Sequence, residues 1–129
     1  MPLVTVTDQH RIDTLVAAAV QREQEIFGYQ INIDNYTIML AALPAAPLPD
    51  RLASHAAMPT EALPAAMEFA DVQLIADCQY RDRIAQLLRS ERIEQSKARR
   101  VLEAIRAQLP AGQADALMAA HVSPPPAAG

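Results

Sequence analysis

Tryptophan is absent from this sequence, glycine occurs three times and cysteine once. Each scarcity excludes something. With only Gly28, Gly112 and Gly129, the tight turns of an all-β domain, many of which need a residue at positive φ, have no supply. The same three scattered glycines make no phosphate-cradling loop. The single thiol, Cys78, cannot form an internal disulfide. No apolar run approaches the roughly 20 residues of a bilayer-spanning helix. Nor does the chain open on a cationic start followed by an apolar run and a cleavage site, so no secretion signal is expected. A reducing interior is the expected location.

What is present favours helices. Apolar residues make up 51% of the chain and aromatics only 4%, so Ala, Leu and Ile carry the hydrophobicity. A length of 129 residues suits one domain with a modest core. The expectation is a single all-α domain.

One stretch tests that expectation. In QEIFGYQINIDNYTIML, residues 24–40, apolar and polar residues alternate around Tyr29, Ile31 and Ile33 as on a half-buried strand. Over a longer window, however, Ile12, Leu15, Ala19, Arg22, Ile26, Tyr29, Ile33, Tyr36, Leu40 and Leu43 recur at steps of three and four, and all but Arg22 are apolar. The helical period wins, since Gly28 and the β-branched residues cost on the order of 1 kcal/mol or less each. Thr7 as N-cap, Asp8 in the first turn and Pro44 as a stop frame a first helix over residues 7–43. Residues 3–6 ahead of it read either as an edge strand pairing with another subunit or as extended chain.

Five of the ten prolines fall at positions 44, 47, 49, 59 and 64. They mark residues 44–70 as a Pro- and Ala-rich connector, with room for a helical turn over 51–57. A second long helix is expected over 71–109, with a seam of Leu74, Asp77, Arg81, Ile84, Leu88, Glu91, Gln95, Ala98, Leu102, Ile105 and Leu109. Pro110 and Gly112 end it. A short helix over 113–122 and a flexible proline-rich tail, 123–129, complete the chain.

Two long helices joined by a connector predict an antiparallel hairpin. Aligning Leu43 with Leu74 brings Arg22, the polar member of the first seam, towards Glu91 and Gln95. These three residues are the candidate polar contact that sets register; the alternative is that all three extend to solvent.

Chemistry is sparse. His10, His55 and His121 are dispersed, with no Cys or His spaced to share an ion, so no metal or other cofactor is expected. Cys78 lies beside Leu74 and Ile75 as a packed thiol would, and Ser54-His55 is an adjacent pair rather than a triad. No catalytic residue and no small-molecule substrate are assigned, and the chain is not expected to be an enzyme. The strongest charge feature lies between Gln79 and Arg106, where eight basic residues face four acidic ones. This leaves the segment at +4 and the remainder at −8 in a chain of net −4. Arg89, Arg92, Lys97, Arg99 and Arg100 offer a basic surface, but interleaved Glu94 and Glu103 predict a salt-bridged face, and no aromatic residue stands ready to stack a base. Phe27, Tyr29, Ile31, Asn32, Asn35 and Tyr36 join the five basic residues as a candidate interface. The tyrosines also fit the core, and the asparagines, mediocre in a helix interior, also fit a solvent face.

Two blocks, QREQEIFGYQINIDNYTIML at 21–40 and QYRDRIAQLLRSERIEQSKARRVLEAIRAQLP at 79–110, resemble small helical proteins encoded by tailed bacteriophages and prophages. They cover about two fifths of the chain. The resemblance implies a virion component or assembly factor, found in the host cytoplasm or the virion, and no catalytic residues come with it. Independently, Val16, Val20, Phe27, Ile31 and Ile38 lie off the first seam, and Ile75, Leu87, Ile93 and Val101 off the second. Such surplus apolar flanks predict a further cover, from the connector, the third helix and another subunit. The expected function is therefore that of a non-enzymatic interaction protein working through oligomerisation, with copies of itself or other phage proteins as partners and with neither nucleic acid nor membrane among them. The alternative is a small regulator that binds nucleic acid or a host protein through the Arg-rich part of the second helix.

Overall fold

A computed structural model describes residues 6–43 and 47–122. Among the described residues the chain is all-α: two long helices, α1 (Val6–Ala42) and α2 (Phe69–Gln108), form an antiparallel hairpin, and a short helix, α3 (Ala114–Val122), follows. The stretch with two readings is helical throughout. Thr7, expected as N-cap, lies inside α1, which begins at Val6. Pro44, residues 3–5 of the possible edge strand and the tail 123–129 lie outside the described residues.

All ten expected seam positions of α1 are buried or half-buried. The seam of α2 holds from Arg81 to Leu109 but fails at its start, where Leu74 and Asp77 are exposed and Ile75 is buried instead. The reason lies in the connector.

The chain divides into two compact units. One takes the chain up to Ile31 and from Arg92 onward. Its core joins Val16, Ala19 and Val20 of α1 with Leu109 and with Met118 of α3; Ile12, Leu15, Leu102, Ile105 and Leu117 pack around them. Ala19 is fully buried at the centre of this cluster. The turn into α3 follows from local chemistry. Gln113 donates its N–H to the Pro110 carbonyl at 3.0 Å, and Gly112, at φ 76°, holds the third turn position, where a side chain would be strained. Arg106, in the last turn of α2, donates to Asp115 Oδ1 at 2.6 Å. The charge pair ties the C-terminal end of one helix to the N-terminal end of the next, with each sign where the helix dipole favours it.

The other unit is Asn32–Glu91. Ile33, Ile84 and Leu88 are buried in it. The connector forms two 3-10 turns, Asp50–His55 and Thr60–Ala62, each preceded by a proline in extended geometry. It docks on α2 through Arg51, whose two terminal nitrogens meet the two Asp71 oxygens at 2.7 Å each. Gln79 Nε2 also donates to the carbonyls of Ala56 and Met58, at 2.9 and 2.6 Å. Leu52 and Ile75 are both buried in this unit. The connector thus covers the face of α2 that carries Ile75, and the first turns of α2 have no need of the expected seam. The last turn of α1 holds no basic residue; Arg81 of α2 supplies one, donating to the Leu43 carbonyl at 3.3 Å.

Candidate interaction surface

The contact expected to set register is rearranged. Arg22 bridges Glu25 on its own helix at 2.9 Å, and Glu91 accepts from Asn32 Nδ2 at 3.2 Å. Gln95 alone of the three is buried, and it donates to the Ile26 carbonyl at 3.2 Å and to Gln30 Oε1 at 2.9 Å. The expected Arg22 to Glu91 contact therefore gives way to two separate ones. Its physical basis was an alignment of Leu43 with Leu74, whereas the Leu43 carbonyl sits at Arg81, about two turns further along α2. Gln95 is an apt residue for the buried position. A neutral amide carries less desolvation cost than a guanidinium or carboxylate, and among the described residues no buried side-chain polar atom lacks a partner.

The candidate interface residues separate into three groups. Tyr29 and Tyr36 are half-buried on the seam, and Asn32, though exposed, is engaged by Glu91. Asn35 is exposed. Phe27 and Ile31 are 69% and 47% exposed. The surplus apolar residues divide likewise: Val16, Val20 and Ile75 are covered, while Phe27, Ile31, Ile38, Ile93 and Val101 remain in solvent. Phe69 was not singled out from the sequence because it lies just before the expected start of the second helix; it is 79% exposed.

Arg89, Arg92, Lys97, Arg99 and Arg100 are all exposed. The expected salt-bridged face is only partly formed. Lys97 pairs with Glu94 at 3.2 Å, but Arg106 turns to Asp115 rather than Glu103. Among the described residues, Arg89, Arg92, Arg99 and Arg100 enter no ion pair. Helical spacing permits such pairs, but on a solvated face each is worth about 0–1 kcal/mol, too little to hold two long side chains together.

The first unit also carries a cleft of about 480 Å³ lined by Glu23, Ile26, Arg99, Leu102, Glu103 and Arg106. Ile26 and Leu102 are half-buried; Glu23, Arg99 and Glu103 are exposed. Apolar residues between two acids and two bases make it a surface for packing against something of mixed charge. The titratable pair with a clear perturbation lies elsewhere, in the connector clip. The hydrogen bond from Arg51 holds the Asp71 carboxyl below its ordinary range, and Asp71 raises Arg51 in return. Cys78 is a half-buried free thiol. Among the described residues, no three His, Cys, Asp or Glu side chains gather as metal ligands, and no helix is long and apolar enough to cross a membrane.

No family model, curated protein or solved structure matches this chain.

Proposed function

We propose that this chain is a non-enzymatic helical interaction protein that works by associating with copies of itself, as a structural or assembly component of a tailed-phage particle. The observation that carries the association is the set of large apolar side chains in solvent, with Phe27, Ile38, Phe69 and Ile93 each more than half exposed. Scattered apolar residues are ordinary on a surface. Here several recur along two helices whose neighbouring apolar residues, Val16, Val20 and Ile75, are covered by α3 or the connector. The phage setting rests on the resemblance of the two helical blocks alone. Light scattering during size-exclusion chromatography, over a range of concentrations and at two salt concentrations, tests the reading. A mass rising with concentration supports it; the mass of one chain throughout refutes it.

A second reading, binding of nucleic acid through α2, draws on Arg89, Arg92, Arg99 and Arg100, which enter no ion pair among the described residues. Salt-dependent retention of the chain on immobilised DNA would favour it.

A further inference from the structure

The third helix demonstrates how one flank of α1 is closed. Val16 and Val20 are 5% and 6% exposed, in one cluster with Met118 of α3. Steps of seven and four residues from Val20 lead along the same face to Phe27 and Ile31, and there the cover ends. Beside them the surface is concave. Glu23, one turn before Phe27, lines the cleft with Ile26, Arg99, Leu102 and Glu103. Glu23 and Arg99 face this space, yet neither enters an ion pair among the described residues.

An apolar ridge next to a cleft with apolar walls, edged by an unpaired acid and an unpaired base, is complementary to itself. We infer that a second copy of the chain docks on this flank. Phe27 of each copy enters the cleft of the other, and Glu23 of each faces Arg99 of the other. The inference rests on the self-association reading and assigns it a surface. A two-fold contact of this kind makes every interaction twice, which a flank carrying both signs of charge can satisfy. A polyanion on the same flank would meet Glu23 and Glu103 as well as Arg99 and Arg106, the latter already paired with Asp115, so the charges favour a second copy over nucleic acid.

The test is sedimentation velocity on the full chain and four variants, with circular dichroism confirming that each keeps its helicity, as substitutions at exposed positions should. Phe27→Glu is expected to weaken association by at least about tenfold, as loss of a central aromatic anchor does. Gln86→Glu, at an exposed position of α2 outside the cleft, should leave association unchanged. Glu23→Arg and Arg99→Glu should each weaken it, since each sets like charges against one another twice. Mixed in equal amounts, those two variants should recover association close to that of the unaltered chain, because their heterodimer restores both contacts between chains; a pair within one chain is not repaired by mixing. Association unaffected by Phe27→Glu, or a mixture as weak as its components, would overturn this surface while leaving self-association standing. An unaltered chain that sediments as a monomer at every concentration would overturn both.

Discussion

At the scale of single residues, Gln95 is the most constrained polar group of the hairpin. The residue is 9% exposed, and its amide makes two bonds, one to a main-chain carbonyl already inside α1 and one to the Gln30 side chain. Both need a donor at position 95. Glutamate has nearly the same shape but, when ionised, can only accept. Gln95→Glu is therefore expected to destabilise the fold by about 1–3 kcal/mol at neutral pH, the cost of unmet buried polar groups and a desolvated charge. Much of that loss should return on acidification, as the carboxyl regains a proton to donate. Urea midpoints at two pH values check this, and a loss independent of pH would show that position 95 matters only for packing. Gly28 offers the opposite case. Nothing lies within 4 Å of where its Cβ would stand, and it sits in the middle of α1. Gly28→Ala should stabilise the protein by about 0.5–1 kcal/mol through helix propensity alone, raising the thermal midpoint. The same substitution at Gly112 should lower it, because the backbone there has φ 76° and alanine is strained at that angle.

At the scale of elements, α3 and the connector do similar work on different surfaces. Each is a short segment that covers an apolar face which the two-helix seam leaves open. Met118 is the buried centre of α3 at 4% exposure, so Met118→Ala should cost about 2–4 kcal/mol and expose Val16 and Val20, a change that denaturant titration and dye binding would both register. The connector is held by the Arg51 to Asp71 clip. The folded Asp71 carboxyl is depressed by the hydrogen bond from Arg51. Its contribution is thus present above the ordinary aspartate value and is lost as pH falls through the depressed one. Amide protection of Leu52 and Ala56 should fall across that acid window, and Asp71→Asn should remove the pH dependence; protection unaffected by either change would show that the clip does not hold the connector. These two segments also mark where sequence reading worked and where it stopped. The α1 seam was legible because a period of three and four is written locally in the side chains. The first turns of α2 were not, because what covers Ile75 is decided by contacts such as Arg51 with Asp71, twenty residues apart in the chain, for which no local pattern exists. The register failed for a related reason. Matching helix ends assumes that the connector only spans them, whereas it folds back along α2 and leaves Leu43 level with Arg81. The uncovered flank, by contrast, was foreseeable from Phe27, Ile31 and Ile38 lying off the seam; which of the surplus residues α3 would cover was not.

At the scale of the whole molecule, the two functional readings part on electrostatics. The chain carries net charge −4, and the exposed arginines of α2 stand among acids, so a polyanion gains little from approach. At about 0.15 M salt, where the screening length is near 8 Å, the chain is expected to pass through a heparin or DNA column without retention. Replacing Arg92, Arg99 and Arg100 together by glutamine would then change nothing there. Retention that falls steeply with salt, and is lost in that triple variant, would establish the nucleic-acid reading instead. Self-association has a different signature. In the proposed dimer, burial of Phe27 and Ile31 is apolar and would survive salt, while Glu23 to Arg99 contacts between copies would lie at a solvated rim and be screened. The unaltered chain should consequently associate almost equally at about 0.05 and 0.5 M salt. Glu23→Arg should not: its defect is repulsion between guanidinium groups, so raising salt should recover part of the lost association. Equilibrium sedimentation of both proteins at both salts separates the cases. A Glu23→Arg defect that ignores salt would mean that the arginine obstructs the surface by bulk, and the charge pairing between copies would have to be abandoned.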